Sequence, residues 1–359
     1  MLREIGSNFW ENPIRKKECP EKRLWWQNKA YSARYLKTGR NAIKACCRIL
    51  GPGKRVLLPA YTCESVIQPF RDEGWDVRYY AIRPDLSIDE ESVRKEVERL
   101  KPDMFLFHSF FGFDTVKSSY GLLKELSSQG ILLLEDLTQG LMSDIHTDFA
   151  DYYISSLRKF FAMPEGGIFI SRSENDIPDI RPADDRIVAK AAVTWRHKAV
   201  YMLGGEATLK ETFRKEYCEL EEYIEENASL QEMTEKAVKM FNNVDFEEIG
   251  SKRRDNFNRI AEGVADIPWI KPICHKAVWD EIPLYFPLYL HTERTRLQHF
   301  LKEYNIYCPI IWQKPDMLTE TDSDTEYMYR QMICIPIDQR YGEEEMNYII
   351  KKLHEYSLT

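Results

Sequence analysis

The chain has 359 residues, 43% of them hydrophobic and 30% charged, and a formal net charge of −8. That is an ordinary globular composition, long enough for about two domains. The acidic balance excludes the basic footprint of a nucleic-acid binder, and no run reaches the about 18 apolar residues that a membrane span needs. The N-terminal residues Met1-Leu-Arg-Glu-Ile-Gly-Ser-Asn8 lack the apolar core of a signal peptide, so the cytoplasm is the expected location. Cysteines at 19, 46, 47, 63, 218, 274, 308 and 334 form no C-x-x-C pair and no Cys/His cluster. Reduced thiols packed as small hydrophobes are expected, and no metal site.

Residues 1–30 are charged and aromatic without a clear period and read as an arm. A regular rhythm then begins. Helices are expected over 41–50, 62–73, 89–100 and 118–129, stopped by Gly51-Pro-Gly53 and Gly74 in the first two cases. Between them lie short apolar runs at 55–59, 76–82, 104–108 and 131–136, with two more strands at 152–155 and 167–171. Continuously apolar strands are buried on both faces, and their alternation with helices predicts an α/β domain built on a largely parallel sheet. Residues 185–265 read as mainly helical and strongly charged, with helices over 219–226, 230–241 and 247–264. The remainder mixes strands at 284–290 and 332–336 with helices over 292–304 and 343–356, and 316–326 reads as a polar, mobile loop.

Ligands of open α/β sheets bind outside the carboxyl ends of the strands, so the residues that follow each strand are the candidates. Lys159 follows the strand-like run Tyr152-Tyr-Ile-Ser-Ser156, with Glu165-Gly-Gly167 six to eight residues further on. It is either a solvated loop lysine or one that forms a Schiff base with an aldehyde cofactor. Asp136 closes the apolar strand 131–134 and either caps a helix or pairs with a protonated pyridine nitrogen, with Gln139 three residues on. His108 and Tyr61 follow other strands and offer rings or, equally, structural groups. Thr38-Gly39-Arg40-Asn41 turns into a helix N-terminus, which binds phosphate readily. With the Ser156 hydroxyl, these groups make up an inventory for pyridoxal phosphate (PLP).

On these residues the chain resembles the DegT/StrS-type sugar aminotransferases of the aspartate-aminotransferase fold, fold type I, from about residue 35 to the end. Thr38-Gly-Arg-Asn-Ala-Ile43 resembles the family's Ser-Gly-Thr-x-Ala-Leu phosphate loop. Leu58-Pro-Ala-Tyr-Thr-Cys63 resembles Pro-Ser-Phe-Thr-Phe, and Leu86-Ser-Ile-Asp89 resembles Asn-Ile-Asp. His108-Ser-Phe-Phe-Gly112 resembles His-Leu-Tyr-Gly. Glu135-Asp-Leu-Thr-Gln139 resembles Glu-Asp-Ala-Ala-Gln, and Lys159 keeps the family's distance to Glu-Gly-Gly.

The resemblance implies a large PLP-binding domain over 36–245 with a mostly parallel seven-stranded sheet, an N-terminal arm over 1–35, and a smaller C-terminal α+β domain over 246–359. It implies a homodimer with shared active sites, a keto-sugar acceptor, either free or nucleotide-linked, and an amino donor such as glutamate. Lys159 would carry the cofactor and act as general base, and Asp136 would bind its ring nitrogen. Gly39, Arg40, Asn41, Tyr61, Cys63, His108, Gln139 and Ser156 would complete the cofactor site. Other PLP chemistry, of the lyase or dehydratase type, and a non-catalytic protein that kept the fold are the alternatives. The chain departs from the family at Cys63, where an aromatic covers the cofactor, and at Arg158, beside the lysine. The family's Asn-Tyr-Arg-Met motif, which reaches the neighbouring subunit's site, has only Asn227-Ala-Ser-Leu230 as a stand-in. By position, Arg34–Tyr35, Arg196–His197 and Trp312 are the candidate substrate contacts.

Overall fold

The apolar runs lie side by side in one sheet. The computed structural model describes residues 3–10, 24–28, 31–174, 176–226, 229–291 and 293–356. Its main sheet contains β1 (Ser32–Leu36), β2 (Arg55–Pro59), β3 (Asp76–Tyr80), β4 (Met104–Phe107), β5 (Leu132–Asp136), β6 (Tyr152–Ser156) and β7 (Gly167–Ser171). The order is β1-β7-β6-β5-β4-β2-β3, and β7 runs antiparallel to both neighbours while the other pairs are parallel. Side chains alternate between two cores. Val56, Leu58, Leu106, Leu134, Ile154 and Phe169 pack on one face, and Leu57, Phe105, Phe107, Leu133, Tyr153, Ile168 and Ile170 on the other. This is why these strands carry no polar alternation.

The helices α1 (Gly39–Leu50), α2 (Glu64–Asp72), α3 (Glu90–Leu100) and α4 (Tyr120–Ser128) make the crossovers. Thr38 caps α1 by accepting the Asn41 N–H, and Asp89 caps α3 by accepting that of Ser92. After β7 come α5 (Arg186–Met202) and α6 (Leu209–Glu226), packed against one another, then α7 (Glu235–Asn242) and α8 (Phe246–Gly263). A second antiparallel sheet, in the order β10-β9-β8, holds β8 (Ile270–Pro272), β9 (Phe286–Leu290) and β10 (Met332–Ile335). With it run α9 (Arg294–Glu303), α10 (Ser323–Gln331) and α11 (Glu343–Glu355). Among the described residues no helix is long and apolar enough to cross a membrane. No cluster of three His, Cys, Asp or Glu groups there could hold a metal ion. The seven described cysteines are free thiols, and Cys19 lies outside the described residues.

Several expectations shift. Residues 32–35, placed in the arm, belong to an edge strand, Ser32–Leu36, on β7. The polar stretch 316–326 is helical from Ser323, because the Asp322 side chain accepts the N–H groups of Asp324 and Thr325. The helix expected over 219–226 begins at Leu209, and the one expected over 230–241 begins only at Glu235, after its cap Thr234. The arm is docked at its start. Ile5 is buried and bridges to Ile306, Glu4 is buried against Lys210 at 2.7 Å, and the Asn8 carbonyl accepts from Lys198 (2.6 Å) and Arg340 (3.0 Å).

The start of β7 is pinned to the turn before α1. The Gly166 N–H donates to the Lys37 carbonyl at 2.7 Å, and a Cβ on Gly167 would lie 2.0 Å from the Thr38 carbonyl oxygen. Neither backbone can yield without opening the sheet. Gly167→Ala is therefore expected to lower the unfolding free energy by about 3 kcal/mol or more, the upper end for overpacking. Urea denaturation of the purified variant checks this.

Candidate active site

The carboxyl ends of β4, β5 and β6 open on a cavity of about 360 Å³ beside the N-terminus of α1. Gly39, Arg40, Cys63, His108, Asp136, Gln139, Ser156 and Lys159 all line it. They come from five separate segments, each delivered by a strand end or a helix start. Two candidates do not line it. Tyr61 is buried behind Trp312 (ring centroids 4.9 Å apart), with its hydroxyl 3.1 Å from Met332 Sδ. Asn41 faces a neighbouring outer cavity, and its N–H is already taken by Thr38 Oγ1 at 3.2 Å. That leaves the amides of Gly39 and Arg40 as the start-of-helix donors without an acceptor among the described residues.

Asp136 is buried. Its Oδ1 accepts the Thr138 N–H at 2.8 Å, and Thr138 Oγ1 accepts the Ser156 N–H at 3.1 Å. Burial pushes its carboxyl above the ordinary value, while bonds from Thr138 and the charge of Lys159 pull it back. A cation placed against this carboxylate would offset its desolvation. Lys159 ends the short helical turn Leu157–Lys159; it is exposed and makes no ion pair or hydrogen bond with a described residue. Burial holds His108 neutral, at about 3, and its Nε2 has no hydrogen-bond partner among the described residues. Gln139 accepts the Phe111 N–H at 2.7 Å through Oε1, which fixes a turn where Phe111 has φ +56°.

The other uncertain positions now have partners. Arg158 is paired with Glu221 of α6, and Arg40 with Glu225 one turn later at 2.6 Å. Cys63 is half-buried at the start of α2 and lines the cavity without offering a ring. Trp312 supplies one from another element, 5.6 Å from the His108 ring at an interplanar angle of 33°. Of the proposed substrate contacts, Trp312 lies on the cavity wall and Arg34, Tyr35, Arg196 and His197 do not. Asn227 and Ala228 lie outside the described residues. Glu165 is buried and accepts both the N–H (2.9 Å) and the hydroxyl (2.6 Å) of Thr234, so it holds the start of α7.

Sequence reasoning missed Glu221 and Glu225. Their four-residue spacing was visible only as one more charged helical stretch. It also missed Tyr285, Arg253 and Arg340, which line a second compartment of about 340 Å³ on the far side of Lys159, together with Phe9, Trp195 and Tyr217.

The residues present fit PLP. Gly39 stands so close to Ser156 that a Cβ would lie 3.0 Å from the serine Cβ, which leaves two free amides and a hydroxyl for a phosphate. The buried carboxylate suits a ring N–H, and the lysine is within the same cavity. Strand order, the single antiparallel strand and the small second sheet define the class of fold, fold type I of the PLP-dependent enzymes. A model of the DegT/DnrJ/EryC1/StrS aminotransferase family matches residues 38–354, and the chain belongs to that family. No curated protein matches it.

Solved structures share the fold at low identity. The aminotransferase TlmJ of Streptoalloteichus hindustanus is 12% identical with a TM-score of 0.65, covering 90% of this chain and 85% of its own. A putative sugar aminotransferase of Streptococcus pneumoniae in its PMP form is 15% identical with a TM-score of 0.65, over 89% and 85%. Helicobacter pylori PseC, an aminotransferase involved in the biosynthesis of pseudoaminic acid, is 13% identical with a TM-score of 0.65, over 90% and 86%.

Strand alternation turns Glu135 away from Asp136, to the opposite face of β5. It is fully buried. Its Oε2 accepts from Thr147 N (2.9 Å) and Oγ1 (2.7 Å), its Oε1 has no partner among the described residues, and burial pushes it up to about 8. A folded-state value above the unfolded one gives stability that is present at low pH and lost as pH rises toward 8. Glu135→Gln keeps an acceptor for Thr147 and needs no proton. It is expected to be more stable than the parent at pH 8, by an amount on the order of a few kcal/mol, with the difference vanishing near pH 4. Denaturation curves at the two pH values check this.

Proposed function

We propose that the chain moves an amino group from an amino-acid donor, glutamate being the candidate, to a keto-sugar, as a homodimer with shared sites. The observation that carries this reading is the convergence of Lys159, Asp136 and the Gly39–Ser156 cradle on one cavity. The sugar acceptor is supported by the solved Streptococcus pneumoniae structure described as a putative sugar aminotransferase. It is supported as well by the rings of Trp312 and Tyr285 on the cavity wall. The division into an arm, a large part and a small part at residues 35 and 245 belongs to the same proposal.

PLP, when bound, supplies an electron sink for the bond broken at the amine-bearing carbon. The Lys159 amine would hold the cofactor covalently, and its Nζ is the group placed to take and return a proton at the substrate carbon. Asp136 would hold the ring nitrogen in its protonated form, the cation offsetting the cost of burying that carboxylate. The amides of Gly39 and Arg40 and the Ser156 hydroxyl would hold the phosphate. Trp312 and His108 would supply the rings beside the cofactor, Cys63 offering none.

Borohydride treatment of the PLP-loaded protein is expected to fix the cofactor on the peptide containing Lys159, read by mass. Lys159→Ala should abolish both that adduct and transamination. A Lys159→Ala variant that still transaminates would overturn the mechanism. Asp136→Asn should keep the adduct and slow the half-reaction with glutamate by about 100-fold, the scale of losing one electrostatic partner of the transition state. Single-turnover absorbance measurements separate the two effects.

A further inference from the structure

Among the described residues, every arginine that lines the two compartments beside Lys159 is already engaged. Arg40 is held by Glu225 and Arg158 by Glu221. Arg340 is bound through two nitrogens by Asp338, at 2.7 and 2.8 Å. Arg253 is fully buried and gives its N–H groups to Gln339 Oε1 (2.9 Å) and to the carbonyls of Pro283 (3.2 Å) and Leu284 (2.9 Å). The outer cavity beyond Arg40, about 550 Å³, is balanced too: Lys37, Arg40 and Lys44 face Glu64, Asp72 and Glu225, with Lys44 and Asp72 2.9 Å apart. The phosphate of the cofactor would add negative charge at Arg40, and the further phosphates of a nucleotide-linked sugar would add more where the described residues of this chain leave no unpaired guanidinium to receive them.

The remaining lining favours an uncharged ring. Phe9, Trp195, Tyr217 and Tyr285 wall the second compartment, and Trp312 the first. Aromatic faces and paired polar side chains together suit a polyhydroxylated ring, and each compartment has the size of a small-ligand pocket. We propose that the acceptor is a keto-sugar bearing no nucleotide, and that Glu221 and Glu225 of α6 set this choice by neutralising the two arginines that would otherwise bind phosphate. This rests on the sugar-aminotransferase reading above. Both carboxylates sit one turn apart on the helix face turned to the site. Glu222 is exposed and lines none of the three cavities.

Two measurements on the PLP-loaded protein test the proposal. In the first, UDP and dTDP are titrated calorimetrically into the parent, the double variant Glu221→Gln/Glu225→Gln, and Glu222→Gln. The parent and Glu222→Gln should show no saturable binding in the millimolar range. The double variant should bind at least about tenfold more tightly, because two guanidinium groups are released. Micromolar binding by the parent, no gain in the double variant, or an equal gain in Glu222→Gln would each overturn the proposal. In the second, amino-hexoses are supplied both free and UDP-linked, and the loss of the bound cofactor's visible absorbance is followed. The free sugars should react with a kcat/KM at least about tenfold higher. Faster reaction of the UDP-linked forms would overturn this proposal while leaving the sugar reading intact. Reaction with glutamate but with neither sugar form would remove the sugar reading, and this proposal with it.

Discussion

The close approach of two backbones at Gly167 and Thr38 is the constraint on which the site depends. β1 ends at Leu36, and within three residues the chain must both satisfy the start of β7 and begin α1. The Lys37 carbonyl takes the Gly166 N–H, the Gly166 carbonyl takes the Leu157 N–H, and the absence of a side chain at Gly167 lets the Thr38 turn lie against the strand. Gly39 is then pressed against Ser156, so the free amides of a helix start and a strand-end hydroxyl face the same space. Lys159 hangs from the turn that begins at Leu157. A shift at this contact would move the Gly39 amides relative to Ser156 and Lys159, although they are more than a hundred residues apart in the chain.

The same sheet handles its buried carboxylates by alternation. Consecutive residues of β5 point to opposite faces, so Glu135 and Asp136 are buried separately and meet different partners. Glu135 is satisfied on one side by Thr147 and is held toward its neutral form. Asp136 is satisfied by Thr138 and opens on a cavity that also holds a lysine. One residue of strand register thus separates a structural acid from one that can receive a cation.

Much of this was legible in the sequence. Strands buried on both faces are continuously apolar, so β2, β4 and β5 stand out, and the rule that ligands gather at strand ends points at once to His108, Asp136 and Lys159. What escaped was decided by packing. β1 is an edge strand whose residues, Ser-Ala-Arg-Tyr-Leu, carry no continuous apolar run, so it read as arm. Tyr61 and Trp312 are both large aromatics near a turn, and only the tertiary arrangement decides that Trp312 lines the cavity while Tyr61 lies behind it. Asn41 does not line the cavity, and a threonine cap claims its N–H, a competition invisible until the turn has a geometry. Arg158 read as an anomaly because its partner lies 63 residues away, in a helix whose length was underestimated.

The α5–α6 hairpin has a base as well as an effect on charge. At its root the Arg181 N–H donates to the Leu230 carbonyl at 3.0 Å, and the Glu232 N–H returns to the Arg181 carbonyl at 3.0 Å. The excursion therefore leaves and rejoins the body at nearly one point, while the groups proposed for catalysis stand on other elements. A change in its length or in the charge of its inner face would therefore act on what borders the cavity while leaving the strand ends that carry Asp136 and Lys159 in place.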